Sequence, residues 1–383
     1  MAKKSHLLEI LEESHPTTKF RRMRQELGDR GLADDLYYPF VAIVGQREMK
    51  LALLLSLINR HIGGVLLIGP RGTAKTTAVR GLIDLMPTVR RSTCHFGCEE
   101  EAAFNLGMDA ICNDCAVKIG MGEPITYAEP MRLIELPLNA RLEDVIGGLD
   151  ERIAIERKKV YLNRGILSHA DQNLLYIDEV NLLDNNITNA ILDASAQGLF
   201  SVRRGAMVAN YRSRLFLVGS MNPEEGNLRP QIQDRFGLRV LVTGLTSLEE
   251  RLKVYRRSVA YKHNPHKFYA EWLNQTIETQ EEIEQARERL PNVKFEKGLE
   301  EVALKWIHDL KITSHRAEIT LLEAARALAA ADERELVTMH DLQEIAYMAL
   351  RQRQSEFITD YVKRQESEDN IIHDTIKRDI SIG

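Results

Sequence analysis

Short apolar runs alternate with segments of helical periodicity over most of the first 250 residues. The run Val65–Ile68 lies between two glycine-containing turns, as is typical of a buried strand in a parallel sheet. Helical periodicity precedes this run over residues 46–60, and a second helix is predicted over 76–85. Strand, glycine turn and helix form half of a βαβ unit, so the pattern predicts an α/β fold with a parallel sheet.

Four more apolar runs predict further strands of this sheet. They cover Leu133–Leu136, Leu174–Ile177, 215–218 and 238–242. Two intervening stretches, 145–162 and 199–215, each contain glycine and have the pattern of hairpins. We therefore expect a parallel sheet with helices on both faces and with inserted hairpins.

From residue 248 the pattern becomes wholly helical. A highly charged helix is predicted over 278–289, and Pro291 prevents its continuation. Residues 297–352 predict three or four amphipathic helices, the last of which begins near Thr338. A helical domain is therefore expected to follow the sheet.

Length and composition limit the classes of protein that need to be considered. A chain of 383 residues exceeds one ordinary domain, and 44% apolar with 28% charged residues is typical of a globular protein. A formal charge of -5 does not indicate nucleic-acid binding. The apolar stretches are too short to cross a bilayer, and the first residues carry no secretory signal. We therefore expect a cytoplasmic protein that binds neither nucleic acid nor membrane.

A phosphate-binding loop is predicted between the strand Val65–Ile68 and the next helix. Its residues are Gly69, Pro70, Arg71, Gly72, Thr73, Ala74, Lys75, Thr76 and Thr77. Small residues let backbone N–H groups wrap the phosphates of ATP, and the helix N-terminus faces them. We expect Lys75 to reach the β- and γ-phosphates and the Thr76 hydroxyl to bind Mg²⁺. Ala74 replaces the usual glycine, and we expect a negative φ there. The alternative is a turn that only joins strand to helix.

Two carboxylates follow the strand Leu174–Ile177. Ligands of open α/β sheets lie at the ends of strands, so we expect Asp178 to hold Mg²⁺. Glu179 is then placed to orient and activate the attacking water. An acidic turn without catalytic function is the alternative, which the phosphate loop upstream disfavours.

Two further polar residues are candidates for ATP hydrolysis. Asn222 follows the apolar run 215–218 and is able to hydrogen-bond the γ-phosphate or the water, unless it only caps a turn before Pro223. Arg235 has the planar, permanently charged side chain of an arginine finger. A structural salt bridge is the alternative for Arg235.

The order of these segments resembles an AAA+ ATPase module and, more narrowly, the I subunits of magnesium chelatase. The resemblance covers about residues 38–350 and is most specific over 222–237, which contains Asn222-Pro223-Glu224-Glu225-Gly226 and Asp234-Arg235-Phe236-Gly237. It implies that Asn222 is a first sensor, that Arg235 acts on ATP in the neighbouring subunit, and that Arg316 is the second sensor of a helical lid.

The same resemblance implies an assembly and a reaction. The family forms hexameric rings, works with an integrin-like D subunit and a large porphyrin-binding H subunit, and uses ATP hydrolysis to drive Mg²⁺ insertion into protoporphyrin IX. ATPases of cobalt chelatases and MoxR-type ATPases, which serve other integrin-like partners, are the alternative. A scaffold protein that binds nucleotide without turnover is a third possibility, disfavoured by the catalytic residues.

Four cysteines lie within 22 residues and form two close pairs. They are Cys94, Cys98, Cys112 and Cys115. The spacing fits a tetrahedral Cys₄ zinc site, which would be structural because no coordination position stays open. An iron–sulfur cluster and free or redox-active thiols are the alternatives, and His95 is able to replace one ligand.

Together the patterns divide the chain into five segments. The expected segments are a solvated N-terminal helical extension (1–37), an AAA+ nucleotide-binding domain (38–246) with a cysteine insertion (94–115), linker helices (247–296), a helical lid (297–352) and a polar tail (353–383).

Overall fold

A computed structural model describes residues 5–11, 36–94, 96–148, 164–204 and 207–353. In these ranges the α-helices are α1 (His6–Glu9), α2 (Arg47–Ile58), α3 (Lys75–Gly81), α4 (Glu100–Leu106), α5 (Asn113–Gly120), α6 (Leu142–Ile146), α7 (Ile166–His169), α8 (Asn185–Gln197), α9 (Pro230–Gln233), α10 (Leu248–His263), α11 (Pro265–Arg289), α12 (Leu299–Asp309), α13 (Arg316–Ala331) and α14 (Met339–Leu350). The strands are β1 (Val65–Ile68), β2 (Thr88–Ser92), β3 (Thr126–Pro130), β4 (Leu133–Leu136), β5 (Leu174–Ile177), β6 (Leu199–Arg204), β7 (Met207–Arg212), β8 (Phe216–Met221), β9 (Leu238–Leu241), β10 (Lys294–Phe295) and β11 (Leu336–Val337).

Five parallel strands form the central sheet in the order β4-β5-β8-β1-β9. All five predicted strands are present, although the run predicted over 215–218 extends to Met221. Because the strands run in one direction, their carboxyl ends meet at one edge of the sheet, which we call the carboxyl edge. The opposite edge, where the strands begin, is the amino edge.

Helices cover both faces of the sheet, as the sequence predicted. Along β1, Val65 and Leu67 enter one core cluster, whereas Leu66 and Ile68 enter the other. The first cluster includes residues of α2, α3 and α11 to α14, and the second includes residues of α6 to α9. Side chains that alternate along a strand point to opposite faces, so the sheet is buried on both sides and the α/β prediction is confirmed.

The helical part after residue 297 consists of α12, α13 and α14, within the predicted number. A capping box begins α14, because the backbone N–H of Thr338 donates to Asp341 Oδ2 at 2.7 Å. Helix α13 packs against α2 of the sheet domain as well as against α12 and α14. The predicted charged helix 278–289 is the second half of α11, which ends just before Pro291 and also contacts α2.

The first described residues differ from the sequence-based expectation of a solvated extension, which is wrong for residues 5–11. Leu7, Ile10 and Leu11 are at most 2% exposed. Lys50 Nζ donates to the Ile10 carbonyl at 3.2 Å. The apolar side chains at 7, 10 and 11 share one helical face, and that face is buried. Residues 1–4 and 12–35 of the predicted extension lie outside the described residues.

One of the two predicted hairpins is present. Strands β6 and β7 pair antiparallel within 199–215. The stretch 145–162 begins in helix α6 rather than in a strand, and its part from residue 149 lies outside the described residues. A further antiparallel pair, β2 with β3, carries the cysteine insertion at its tip. None of the helices in the described ranges is long and apolar enough to cross a membrane.

Candidate nucleotide-binding site

The phosphate loop joins β1 to α3 at the carboxyl edge, as predicted. A Cβ atom on Gly69 would lie 2.0 Å from the Val242 carbonyl oxygen, so only glycine fits beside the end of β9. Gly72 has φ +78° and open space around its Cβ position. The backbone conformation therefore requires glycine at Gly72, whereas close packing requires it at Gly69.

Ala74 corrects one detail of the sequence-based prediction. Its φ is +69°, in the left-handed region, whereas a negative φ was expected. The chain has to turn in this conformation just before α3 begins, which is why glycine is usual there. A methyl group at this φ costs about 1 kcal/mol.

Lys75 lies inside the loop and is 9% exposed. Its Nζ donates to the carbonyl oxygens of Gly69 and Pro70 at 2.7 and 2.8 Å. Burial lowers the pKa of Lys75, although three nearby carboxylates oppose the shift. Two backbone acceptors of the loop thus hold the ammonium group inside it, where its positive charge suits a bound phosphate.

Thr76 and Asp178, the two predicted Mg²⁺ ligands, are brought together. Thr76 Oγ1 donates to Asp178 Oδ2 at 3.2 Å. The other oxygen, Oδ1, accepts from the hydroxyl groups of Tyr176 at 2.9 Å and Ser220 at 2.5 Å. Burial raises the pKa of Tyr176, which therefore stays a neutral donor. One oxygen of Asp178 is oriented by the protein and the other faces Thr76.

Tyr176 and Ser220 were not identified from the sequence. Both are polar residues in otherwise apolar strands, and this signal would have found them. Tyr176 shares a face of β5 with Asp178 because it lies two residues earlier. Ser220 is its neighbour because Ile177 pairs with Gly219 in the sheet register.

Glu179 follows Asp178 and has φ +52°. Its backbone N–H donates to Ser220 Oγ at 3.1 Å, which fixes the turn. Its Oε1 forms an ion pair with Arg71 Nη2 of the phosphate loop at 3.2 Å. The same Arg71 nitrogen also contacts Glu225 Oε1. The carboxylate predicted to be the general base therefore lies beside the loop.

Asn222 follows β8 at the same edge and is 3% exposed. Its Oδ1 accepts from the backbone N–H of Glu224 at 3.3 Å, so the turn-capping alternative is present in the structure. The amide Nδ2 makes no hydrogen bond within the described ranges and is able to serve a ligand. The two interpretations of Asn222 therefore do not exclude each other.

Arg235 and Arg316 lie at the opposite, amino edge of the sheet. Both line a cavity of about 180 Å³ together with Gly63 and Gly64, which precede β1. Arg235 Nη1 pairs with Asp193 Oδ1 at 2.7 Å, as the salt-bridge alternative predicted. Neither arginine reaches the phosphate loop of its own chain, since β1 separates the cavity from Gly69.

Asp234 joins the arginines of the amino edge. Its Oδ1 pairs with Arg353 Nη1 at 2.7 Å, and its Oδ2 accepts from Ser314 Oγ at 2.7 Å and from Arg316 Nη1 at 3.3 Å. Burial alone would raise the pKa of Asp234, but the hydrogen bond from Ser314 and the arginine charges outweigh it, so the pKa is lowered. Arg353, the first residue assigned to the tail, is itself buried.

The four cysteines lie together at the tip of the β2–β3 pair. Their Sγ atoms are all within 4.8 Å of one another, and none forms a disulfide. The backbone N–H of Cys112 donates to Cys98 Sγ at 3.2 Å. A hydrogen bond from the Cys98 thiol lowers the pKa of Cys94, whereas burial raises the pKa of Cys115. His95 lies outside the described residues.

The insertion is attached to the β6–β7 hairpin. The rings of Phe96 and Tyr211 stack with centroids 5.8 Å apart. Glu99 forms ion pairs with Arg212, at 3.3 Å, and with Arg214. The cysteine cluster therefore lies where two excursions from the sheet meet, and stabilising it would stabilise both.

Comparison with known sequences identifies several relatives. A model of the AAA lid domain matches residues 308–375. The magnesium-chelatase subunit ChlI homolog of Methanocaldococcus jannaschii is 43% identical over 82% of this chain and 85% of its own length. The magnesium-chelatase 38 kDa subunit of Rhodobacter capsulatus is 39% identical over 82% of this chain and 87% of its own. The chloroplastic ChlI-2 subunit of Arabidopsis thaliana is 36% identical over 82% and 75%.

Two solved structures are also similar. A complex of the magnesium-chelatase subunits BchI and BchD, based on cryo-EM, contains a chain that matches 85% of this one and 99% of its own length, with 36% identity and a TM-score of 0.45. A proposed ATPase from Cytophaga hutchinsonii matches 87% of this chain and 90% of its own, with 21% identity and a TM-score of 0.52. The second likeness concerns the fold alone.

Proposed function

Because this chain belongs to the family of magnesium-chelatase I subunits, which are AAA+ ATPases, we propose that it hydrolyses ATP as the motor subunit of a chelatase that inserts Mg²⁺ into protoporphyrin IX. The observation that carries the proposal is the convergence of Lys75, Thr76, Asp178 and Glu179 at one edge of the sheet.

The loop geometry fits a bound triphosphate. Gly72 leaves open space beside the loop backbone, and Lys75 Nζ donates to two carbonyl oxygens of the loop. Thr76 and Asp178 would hold Mg²⁺, which supplies positive charge to the transferred phosphoryl group. Tyr176 and Ser220 orient Asp178 for that task.

Two residues are assigned to the attacking water. Glu179 is the general base, since it follows β5 and its carboxylate lies beside the loop, where it contacts Arg71. Asn222 would hydrogen-bond the water or the γ-phosphate through Nδ2, while Oδ1 caps its turn. Asn222 follows β8, which is adjacent to β1, and Glu179 follows β5, which is one strand further away. Both residues therefore approach the phosphates from the same side.

The two arginines at the amino edge are assigned to a neighbouring site. Arg235 would be the arginine finger and Arg316 the second sensor, each acting on ATP bound at the carboxyl edge of the next subunit. An interface that joins two different surfaces of one protein closes into a ring when the rotation permits. This division of the site supports the proposed ring, which in this family is expected to be a hexamer.

ATP hydrolysis by the ring is proposed to act on partner proteins. We propose an integrin-like D subunit as the direct partner and a porphyrin-binding H subunit as the site of metal insertion, in the cytoplasm. A motor of the cobalt-chelatase or MoxR type, which acts on another integrin-like partner, is the alternative. The names of the relatives favour the chelatase of magnesium.

The ATPase is tested with the full chain and Mg²⁺. Wild-type protein should hydrolyse ATP, and Glu179→Gln should bind ATP but lose about 10²-fold or more in kcat. Lys75→Ala should lose nucleotide binding. Hydrolysis by Glu179→Gln at the wild-type rate would remove Glu179 from its role.

The chelatase is tested by reconstitution with D and H subunits. Mg-protoporphyrin should form only when ATP and all three subunits are present. If this mixture hydrolyses ATP but forms no product, while an I subunit of known activity supports the reaction with the same partners, the alternative motor function is correct.

The cysteine cluster is proposed to hold one structural Zn²⁺. Four thiolates at about 2.3 Å from a central ion fit sulfurs that all lie within 4.8 Å of one another. A cluster of several irons and sulfides is larger than a single ion, so these short separations favour zinc. Four protein ligands leave no open position, so the ion would stabilise the insertion rather than catalyse.

Elemental analysis of protein purified under reducing conditions tests the zinc proposal. One zinc per chain is expected, and the pair Cys98→Ser and Cys115→Ser should lose it and lower the melting temperature. Iron with acid-labile sulfide would favour a cluster instead. A metal-free protein with undiminished thermal stability would favour free thiols.

A further inference from the structure

Helix α10 leaves a row of apolar side chains in solvent. The row consists of Leu248, Leu252, Tyr255 and Val259. These side chains are between 45% and 82% exposed, and no residue of the helix is buried. Their spacing of four, three and four residues places them on one face of the helix. Arg251 and Arg256 are exposed beside the row. We call the row and these two arginines the α10 face.

The cysteine insertion has an exposed apolar surface of the opposite charge. Its apolar residues are Phe104, Leu106, Met108, Val117 and Met121, which are between 47% and 78% exposed. Asp109 follows Met108, Glu123 lies two residues after Met121, and both are exposed. Residues 94–125 contain six carboxylates and one lysine, whereas α10 contains five basic and two acidic residues. The five apolar residues with Asp109 and Glu123, which we call the insertion surface, therefore complement the α10 face.

The two surfaces belong to opposite edges of the sheet. The insertion is attached at the amino edge, because Glu99 pairs with Arg214, two residues before β8. The cavity that holds Arg235 lies at the start of the same strand. Helix α10 follows the carboxyl end of β9, where the Val242 carbonyl lies against Gly69 of the phosphate loop. The insertion is thus attached near the proposed arginine finger, and α10 begins near the phosphate loop.

The proposed ring brings the amino edge of one subunit to the carboxyl edge of the next. The same approach brings the insertion surface of one copy towards the α10 face of its neighbour. Apolar surfaces with opposite charges at their margins exclude water from the contact and favour one orientation. A second copy of this chain therefore supplies both the apolar area and the charge that each surface lacks within its own chain.

We propose that the insertion surface of each subunit docks on the α10 face of the adjacent subunit. This inference rests on the proposed function, because it requires the ring. It makes the contact heterologous, since two different surfaces of one chain meet, and a contact of this kind closes into a ring when the rotation permits. It also gives the cysteine insertion a task in assembly, because the fold of the insertion presents one half of the contact.

Two charge-reversed forms of the full chain test the contact. The insertion variant is Asp109→Lys with Glu123→Lys, and the helix variant is Arg251→Glu with Arg256→Glu. Each variant alone carries like charges on both surfaces, so the protein concentration required for half-assembly should rise about tenfold or more. In a one-to-one mixture, opposite charges meet again at every interface of an alternating ring. Assembly should then return to within about threefold of wild type.

Sedimentation velocity with Mg²⁺ and a non-hydrolysable ATP analogue measures assembly. All four substituted side chains are exposed, so both variants should fold. Recovery in the mixture cannot arise from damage to either fold, since two damaged proteins would not repair each other. Glu281→Lys with Glu288→Lys is the matched control, because it changes two exposed carboxylates of α11 and alters the net charge as the insertion variant does. It should assemble like wild type.

Three outcomes would overturn the proposal. If each variant alone assembles like wild type, or if the mixture assembles no better than either variant, a second copy does not cover these surfaces. An equal loss of assembly in the control would show that net charge, not this contact, is responsible. In all three cases, a wild-type ring that hydrolyses ATP would still support the proposed function. If wild-type protein forms no ring, the proposed ring fails and this inference fails with it.

Discussion

The two edges of the central sheet hold functional residues of different kinds. At the carboxyl edge, Lys75, Thr76 and Asp178 lie within hydrogen-bonding reach of the phosphate loop or of one another. At the amino edge, Arg235 and Arg316 surround a cavity with no phosphate loop beside it. The first edge is organised by strand ends and short turns, and the second by ion pairs between distant parts of the chain.

This difference fits the proposal that one chain carries two halves of a site that is shared between subunits. The carboxyl edge has the ammonium group of Lys75 and the carboxylates of Asp178 and Glu179, whereas the proposed arginine finger lies elsewhere. The amino edge has the arginines, held by Asp193 and Asp234. Ion pairs with carboxylates of the same chain keep these guanidinium groups ordered at the surface, where a second copy can approach.

The largest effect is expected when the proposed arginine finger, Arg235, is removed. Arg235→Ala should lower the kcat for ATP by about 10³-fold without loss of ATP binding. Mixing Arg235→Ala with Glu179→Gln subunits should restore part of the activity, since some interfaces then contain both intact residues. Steady-state ATPase assays of each variant alone and of the mixture measure this.

Asp193→Asn is the matched control for the finger. It breaks the ion pair of Arg235 but keeps the guanidinium, so it should retain most of the activity. If Asp193→Asn were as inactive as Arg235→Ala, or if confirmed mixed rings showed no rescue, Arg235 would be structural and the site would not be shared.

The second prediction concerns the ion pairs of the amino edge. Asp234→Asn should lower the free energy of unfolding at pH 7 by about 2 kcal/mol, because it leaves buried arginines such as Arg353 without their carboxylate. The pKa of Asp234 is lowered in the folded state. The carboxylate therefore stabilises the fold above its unfolded pKa of about 4, and this contribution disappears as pH falls through the folded pKa.

Urea unfolding of both proteins at several pH values measures this contribution. The difference between wild type and Asp234→Asn should narrow below about pH 4. Asp309→Asn, an exposed carboxylate beside an exposed histidine, should change stability by less than about 0.5 kcal/mol. A pH-independent difference would mean that the charge of Asp234 is not what stabilises this edge.

The third prediction concerns the hydrogen bond from Tyr176 to Asp178 at the carboxyl edge. Tyr176→Phe should lower kcat about fivefold and raise the Mg²⁺ concentration required, because one hydrogen bond to Asp178 is lost. Titration of ATPase activity with Mg²⁺ measures both effects. Tyr347→Phe, at an exposed tyrosine, should leave the titration unchanged, and an unchanged titration for Tyr176→Phe would show that Ser220 alone orients Asp178.

The smallest effect is expected for the backbone of the loop. Ala74→Gly should raise the free energy of unfolding by about 1 kcal/mol, because glycine adopts φ +69° without strain. Ala78→Gly, inside helix α3, should lower it by about the same amount. Denaturant unfolding without nucleotide measures both, and destabilisation by Ala74→Gly would contradict the left-handed conformation.

The elements and most of the carboxyl edge were predictable from the sequence. Five apolar runs became the five strands of the sheet, because continuous apolar segments are required wherever a strand is buried on both faces. Thr76 and Asp178 were placed correctly, since both follow strands whose carboxyl ends meet at one edge. The hairpin predicted over 145–162 was wrong at its start, where the chain is helical. Short apolar segments do not by themselves distinguish helix from strand.

The amino edge was less accessible to sequence reasoning. The resemblance identified Arg235 and Arg316, but their common cavity joins residues from α2, β8 and α13. The role of Asp234 and the burial of Arg353 depend on contacts between residues more than 100 positions apart. Local sequence patterns do not predict such contacts, because they do not distinguish a solvated charged residue from one that is buried in an ion pair.

The sequence by itself determined the strands, the phosphate loop, the order of the candidate catalytic residues and the grouping of the cysteines into two close pairs. These features follow from local periodicity, turn chemistry and spacing, which act over a few residues. Only the tertiary structure decided the left-handed conformation of Ala74, the sharing of Arg71 between Glu179 and Glu225, and the separation of the arginines from their own phosphate loop. The conformation of Ala74 depends on the turn that the loop makes before α3. The other two depend on how strands from distant parts of the chain are ordered in one sheet, because that order sets which side chains meet at each edge.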